Sequence, residues 1–165
     1  MKDHFVCGVC GETHAGLTTD WAYTLPDEVW ALSDPEKATR AKYDSDLCRL
    51  DERYFVRGIL PLPLIDGVGN FCWGAWAEIE PAAFFRYVEL YETDGSNEPP
   101  CAGKLANDLS VYGETIGVPI LVQFGDPTTR PTFTVVSDDN SLLAREQRQG
   151  IDTARHHEIV AQLSG

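Results

Sequence analysis

Two cysteines near the start of the chain have the spacing of a metal-binding turn. Cys7 and Cys10 are separated by two residues, and a glycine directly follows each of them. A tight turn of this kind lets both thiolates reach one tetrahedral ion at about 2.3 Å, the Zn–S distance of structural sites. Glycine tolerates the positive φ that the turn requires. The pattern predicts a zinc knuckle, with a redox pair or an inert knuckle as the alternatives.

A closed zinc site needs two further ligands, and the sequence contains no second cysteine pair with this spacing. His14 follows Cys10 by four positions, so the same loop can curl back to the ion. Cys48 stands at the entry to a predicted strand. We expect Cys7, Cys10, His14 and Cys48 to bind a structural zinc that leaves no open position for water. The alternatives are an exposed loop imidazole for His14 and a buried core thiol for Cys48. Other possible ligands are Cys72, Cys101, His156 and His157.

A second candidate site combines one arginine with two tryptophans on neighbouring predicted strands. Arg57 alternates with apolar residues, and Glu78 on the paired strand could meet its guanidinium. Arg57 could hold a ligand carboxylate, or it could be a structural ion pair or a snorkelling edge residue. Trp73 and Trp76 have opposite strand parity, so both face one side only if a bulge forms at the intervening glycine. We expect no bulge, so that one indole belongs to the core and the other to the surface.

Known catalytic signatures are missing from the sequence. It contains no nucleophile elbow, no phosphate-binding loop and no zinc-protease helix motif. A hydrolase that uses zinc or an acidic pair remains an alternative, and its first candidate carboxylates are Asp66, Glu78 and Glu80 near a predicted hairpin. Metal coordination would separate the two classes, because four protein ligands indicate a structural zinc and three with a water indicate catalysis.

The local patterns predict the strands and the first helix that would position these residues. Residues 47–64 have a strand pattern with a turn at 51–52, and the turn cluster at 66–70 predicts an antiparallel hairpin with 71–80. Ser33 and Glu36 predict a capping box that opens a helix ending at about Tyr43.

The second half of the chain alternates further strands with helices. Pro81 predicts the start of a helix over 82–91 that covers one sheet face with Phe84, Val88 and Tyr91. Short strands follow, then two helices, one starting at Asn140 or Ser141 and one capped by Asp152. The predicted strands are 103–109, 119–124 and 131–136, and the helices end at about Gly150 and Leu163.

The elements together predict an α+β fold. It has a mostly antiparallel sheet, a covering helix, an N-terminal knuckle-like loop and C-terminal helices. The chain of 165 residues fits one domain, with an N-terminal segment 1–45, a sheet segment 46–136 and a C-terminal segment 137–165.

The charge balance excludes two classes of partner. The chain carries 13 Lys and Arg against 26 Asp and Glu, for a net charge of -13. This charge repels nucleic acid and anionic membrane surfaces, and it favours a basic protein partner. No segment has the roughly 18 apolar residues of a membrane span. Five cysteines with one close pair are typical of a reducing, cytosolic compartment.

Five segments carry a resemblance to other proteins. They are residues 7–11 with His14, 45–48, 53–58 (Arg-Tyr-Phe-Val-Arg-Gly), 73–76, and Arg130 with Pro131. Together they make the chain resemble a bacterial domain family of unknown function over nearly its whole length. The resemblance implies a bacterial, cytosolic protein of one domain, and it assigns no catalytic residue. The sequence thus predicts a zinc-stabilised domain with a binding or regulatory role. The alternatives are a hydrolase and a small-ligand module around Arg57, Trp73 and Trp76.

Overall fold

The computed structural model describes residues 5–6, 13–14, 19–67, 69–136 and 141–164, with only the backbone at 5–6, 13–14 and 164. These residues form ten strands and five helices, and the last two helices follow the last strand. The strands are β1 Phe5–Val6, β2 Thr13–His14, β3 Asp20–Ala22, β4 Ala41–Tyr43, β5 Leu47–Leu50, β6 Arg53–Pro63, β7 Asn70–Ile79, β8 Cys101–Leu105, β9 Pro119–Gln123 and β10 Thr132–Val135. The helices are α1 Asp27–Trp30, α2 Asp34–Arg40, α3 Pro81–Glu89, α4 Leu142–Gln149 and α5 Thr153–Ser164.

The long hairpin of β6 and β7 is the centre of the sheet. Its strands pair from Tyr54 opposite Ile79 to Pro63 opposite Asn70, which confirms the predicted antiparallel hairpin. From β7 the sheet continues antiparallel through β8, β9 and β10. β10 then returns to β6 in parallel, with Thr132 opposite Ile59. These five strands close into a barrel, and closure leaves them no free edge.

Three further strands extend the sheet outside the barrel. β5 pairs with β6 and β4 pairs with β5, both antiparallel, while β3 runs parallel to β7. β3 and β4 belong to the N-terminal segment, yet both join the same sheet as the later strands. The structure therefore confirms an α+β fold whose core is a mostly antiparallel sheet.

Strand periodicity divides the apolar residues between two clusters. Alternate residues of a strand face opposite sides, so one set on β6 and β7 fills the barrel and the other faces outward. Trp73 lies in the main cluster inside the barrel. Trp76 lies in a second cluster outside the barrel, with Phe55 and Cys48, and we call it the outer cluster. Leu25 and Val29 from the N-terminal segment cover it.

Both tryptophans are completely buried, so the predicted surface indole is wrong. No bulge is present, because the pairing continues through Gly74 opposite Ile59. The outward-facing Trp76 is buried because the segment around α1 covers that face of the sheet. The indole nitrogen of Trp76 also binds this covering segment, because Nε1 donates a hydrogen bond to the carbonyl of Tyr23 at 3.0 Å.

The predicted starts of the helices agree with the structure better than the predicted ends do. The capping box of Ser33 and Glu36 is confirmed at the start of α2. The predicted end near Tyr43 is wrong, because α2 ends at Arg40 and the next three residues form β4. Asp152 caps α5 as predicted, accepting a hydrogen bond from Arg155 N at 2.7 Å. None of the helices in the described ranges is long and apolar enough to cross a membrane.

Candidate functional site

The predicted zinc ligands lie only partly within the described residues. Cys7, Cys10 and the side chain of His14 are outside them. The backbone of β1 and β2 forms a small antiparallel pair, with Phe5 opposite His14 and Val6 opposite Thr13. In the described part of the chain, no three Cys, His, Asp or Glu side chains form a group that could hold a metal ion.

Cys48 occupies a buried, apolar position. It is 1% exposed and belongs to the outer cluster with Leu50, Phe55 and Trp76. Burial raises the pKa of its thiol to about 12, and the charge of Asp44 adds to the shift. A thiolate at this position would need a cation beside it, because desolvation disfavours the charged form. The geometry matches a buried core thiol, and the zinc-ligand role of Cys48 stays a prediction.

Glu78 pairs with Arg53, so the predicted pair of Arg57 with Glu78 is wrong. Arg53 Nη2 lies 2.7 Å from Glu78 Oε1, and Arg53 Nη1 lies 2.6 Å from Glu28 Oε2. Phe55 stands opposite Glu78, so Arg53 and Arg57 are each two positions away from it along β6. Arg53 also binds Glu28, whereas Arg57 donates to the carbonyl of Ser45. Two carboxylates thus hold Arg53 across the edge of the outer cluster.

Arg57 stands opposite Trp76 and reaches back towards the β4–β5 turn. Its guanidinium carbon is 6.0 Å from the Trp76 ring centroid, and its Nη1 donates to the carbonyl of Ser45 at 3.2 Å. Burial lowers the pKa of Arg57, and the charge of Arg130 lowers it further. Because Trp73 and Trp76 are both buried, the structure brings neither indole to a surface beside Arg57.

The carboxylates considered for a hydrolase are not brought together. Asp66 lies in the turn of the β6–β7 hairpin, where its Oδ2 accepts from Thr153 N at 3.0 Å. Glu78 and Glu80 lie at the opposite end of β7. At about 3.3 Å per residue, roughly 25 Å of strand separates the two ends. Asp66 therefore cannot form an acidic pair with either glutamate.

A cleft of about 450 Å³ lies between the end of α3 and the loop that joins β9 to β10, and we call it the Asp46 cleft. Tyr91 Oη donates to Asp46 Oδ2 at 2.6 Å, and Arg130 Nε donates to Oδ1 at 3.0 Å. Burial raises the pKa of Asp46, but the hydrogen bonds from Tyr91 and Arg130 outweigh it and the net pKa is lowered. The hydrogen bond to Asp46 raises the pKa of Tyr91 to about 12. The carboxylate stays ionised and joins three separate segments.

Asp46→Asn is expected to lower the free energy of unfolding by about 1 kcal/mol at pH 7, a small effect because Arg130 is partly exposed to screening solvent. The carboxyl has a lower pKa when folded than its ordinary 3.8, so its stabilisation is present above that value and is lost as the pH falls through the folded pKa. In urea unfolding, the free energy of unfolding should therefore fall less between pH 7 and pH 3 in the variant than in the parent protein. Glu92→Gln, at an exposed neighbouring site, is the control. An equal decrease in the free energy of unfolding in Asp46→Asn and the parent protein would contradict this assignment.

A larger groove of about 660 Å³ lies between the β4–β5 hairpin and α3, and we call it the α3 groove. Its aromatic wall is formed by three rings, with the Tyr54 centroid 4.8 Å from Phe84 and 5.3 Å from Phe85. Phe85 is 52% exposed and Tyr43 is 45% exposed. The residues that line the groove are Lys42, Tyr43, Asp44, Leu47, Cys48, Arg49, Tyr54, Phe84 and Phe85.

The helix register explains why this wall is exposed. The sequence predicts that Phe84, Val88 and Tyr91 cover the sheet, but α3 buries Phe84 and Tyr87. Val88 and Tyr91 are exposed instead, which corrects that prediction. The sequence analysis also did not predict the β4–β5 hairpin, because the predicted helix to Tyr43 extended over the residues that form β4. The local signal that could have revealed the groove is the pair of aromatic residues at 84 and 85, which no single helix face can bury.

Comparison with known proteins assigns the chain to a family. A family model described as "Uncharacterized protein conserved in bacteria (DUF2199)" matches residues 6–151. Neither the curated proteins nor the solved structures yielded a match to the chain. The matched residues include the whole barrel, the Asp46 cleft and the α3 groove. The chain therefore belongs to this uncharacterized family of bacterial proteins.

Proposed function

We propose that the domain is a binding module and that its ligand binds in the α3 groove. The exposed aromatic wall carries the proposal, because Phe85 leaves half of its surface in solvent beside a concave site. Exposed apolar surface next to a cavity marks interaction sites, and ligand pockets generally have volumes of about 300 to 1,000 Å³. The groove has the size and the apolar lining that such a site requires.

The Asp46 cleft has fewer groups available to bind a ligand than the α3 groove has. Asp46 already accepts hydrogen bonds from Tyr91 and Arg130, so a ligand would have to replace contacts that hold the fold together. In the groove, Phe85 gains contact area when a ligand covers it. Burial of apolar surface is the dominant favourable term in most association reactions. This difference favours the groove as the ligand site.

A neutral aromatic probe tests the proposal. We expect 2-naphthamide to shift the amide resonances of residues 42–49 and 84–85 in a protein-observed NMR titration. Phe85→Ser should weaken binding about tenfold, because it removes apolar area that the ligand would cover. Leu121→Ser is the matched control, since Leu121 is 42% exposed on β9, outside the groove. Shifts centred on the Asp46 cleft, or equal affinity in Phe85→Ser, would overturn the proposal.

A second proposal concerns the N-terminal hairpin, where we infer a structural zinc bound by Cys7, Cys10, His14 and Cys48. The pairing of Val6 with Thr13 supports it, because it brings together the two ends of the stretch that contains Cys7 and Cys10. His14 follows directly on the second strand of that pair. A zinc ion would also offset the burial that raises the pKa of Cys48, since a coordinating thiol is deprotonated by its metal.

The metal content of the untagged protein, purified without chelator, tests the zinc proposal. We expect stoichiometric zinc by elemental analysis. Cys10→Ser and Cys48→Ser should each lose it, with a large fall in the melting temperature, because metal binding contributes directly to folding. Cys101→Ser, at a half-buried cysteine outside the predicted set, is the control. A metal-free parent protein would refute the site, and zinc retained in Cys48→Ser would remove that ligand.

The cellular setting is also a proposal. Cys48, Cys72 and Cys101 are not in disulfides, which supports a reducing cytosolic compartment. The net charge of -13 supports a basic protein partner.

A further inference from the structure

We infer that the ligand of the α3 groove is an amphipathic organic anion, an apolar body that carries one carboxylate. This inference rests on the proposed binding role of the groove and names the chemistry of its ligand. It follows from two cations that the fold places side by side on the rim of an aromatic wall.

The two cations belong to one row across three strands. Lys42 on β4 stands directly opposite Arg49 on β5, and Arg49 stands opposite Tyr54 on β6. Side chains that are directly opposite in an antiparallel pair have their Cβ atoms about 5 Å apart, and like charges in such a pair are destabilising. Both side chains are exposed and both line the groove. The fold therefore keeps a repulsive pair at the mouth of an apolar site.

The neighbouring carboxylates make their close contacts with other groups, and the charge of Asp51 acts on Arg49 only at longer range. Asp44 also lines the groove, but its Oδ1 accepts from the backbone N atoms of Asp46 and Leu47, each at 2.8 Å. Asp51, which follows β5, is held by Arg40 with an Nη2–Oδ2 distance of 2.8 Å. Neither Lys42 nor Arg49 has a carboxylate within 4.0 Å in the part of the chain that the structure describes.

An anionic group between these cations would relieve their repulsion. The guanidinium fork of an arginine binds a carboxylate through two parallel hydrogen bonds, and an ammonium group beside it adds a third donor. The chain has twice as many acidic as basic residues, so an unpaired cation pair is not a consequence of its composition. Charge complementarity therefore favours an anionic group between Lys42 and Arg49.

The wall of the groove selects the rest of the ligand. Tyr54, Phe84 and Phe85 line the same groove as the two cations, and Leu47 adds an aliphatic side chain. An inorganic anion would leave these rings in water. An apolar body with one carboxylate places its charge at the rim and covers the exposed face of Phe85.

The test compares 2-naphthoate with its neutral isostere 2-naphthamide, by NMR titration of the full chain at low salt. We expect 2-naphthoate to bind about tenfold more tightly, because hydrogen bonds to charged groups are the stronger ones. Lys42→Gln and Arg49→Gln should each remove most of that preference, because they weaken 2-naphthoate binding more than 2-naphthamide binding. Lys37→Gln is the control, since Lys37 lies on α2 over the Trp30 ring, outside the groove.

Melting temperatures separate loss of binding from loss of fold. Because it removes a like-charge contact, Lys42→Gln should melt at or above the temperature of the parent protein. Arg49→Gln should melt close to that temperature, because it also loses the attraction of Asp51. Equal affinities for 2-naphthoate and 2-naphthamide would overturn the anionic ligand and leave the binding groove in place. Failure of both probes to bind at millimolar concentrations would overturn the groove itself.

Discussion

Gly58→Ala is expected to lower the free energy of unfolding by about 3 kcal/mol, because it overpacks the seam that closes the barrel. A Cβ at this position would lie 2.5 Å from two atoms of the Phe133 ring and 2.6 Å from the carbonyl oxygen of Pro131. That oxygen accepts the hydrogen bond from Ile59 N at 2.9 Å, which joins β6 to the start of β10. The backbone cannot move aside without weakening this contact.

Urea unfolding of Gly58→Ala and Gly67→Ala measures the effect. Gly67 is the matched control, because a Cβ there would meet only Leu64 Cβ, at 3.9 Å. Its substitution should change the free energy of unfolding by less than about 0.5 kcal/mol. If the two variants unfold at the same urea concentration, the close approach of β10 to Gly58 is incorrect.

Asn107→Ala is expected to cost about 3 kcal/mol of stability, because it leaves buried polar groups without partners. Asn107 is fully buried. Its Oδ1 accepts from Trp76 N at 2.8 Å, and its Nδ2 donates to the carbonyl of Leu25 at 2.9 Å and to Asp27 Oδ1 at 2.8 Å. One side chain thus fastens the segment that covers the outer cluster to the central hairpin.

Chemical unfolding and hydrogen exchange together test the role of Asn107. The free energy of unfolding should fall, and the amide of Trp76 should exchange much faster than in the parent protein. Asn97→Ala is the control, since Asn97 is exposed in the loop before β8. An unfolding energy within about 0.5 kcal/mol of the parent value would show that other groups replace the lost hydrogen bonds.

The features that the sequence predicted correctly have short-range causes. The capping box of Ser33 and Glu36 lies within four consecutive residues, and the hairpin of β6 and β7 follows from the turn residues between its strands. Pro81 begins α3 at the predicted position. Each of these signals is read from neighbouring residues and does not depend on where the rest of the chain lies.

The errors arose where a partner distant in sequence decides the outcome. Glu78 meets Arg53, which also binds Glu28 of α1, whereas Arg57 reaches the carbonyl of Ser45. Trp76 is buried because α1, far away in sequence, packs over it. Residues 41–43 leave the helical pattern because β5 supplies hydrogen bonds for them. Periodicity alone contains none of this information.

The α3 groove could not be predicted for the same reason. Lys42, Arg49 and Tyr54 become neighbours only when three strands are aligned in one register. These three residues line one groove with Phe85 only after α3 has packed on the sheet. One alternative from the sequence was a small-ligand site around Arg57 and the two tryptophans, but both indoles are buried in the core.

A structure of the protein in complex with 2-naphthoate tests the binding groove most directly. We predict that the naphthyl ring lies against Phe85 and Tyr54, with its carboxylate within hydrogen-bonding distance of Arg49 and Lys42. A naphthyl ring in the Asp46 cleft, or a carboxylate that points away from both cations, would contradict the account.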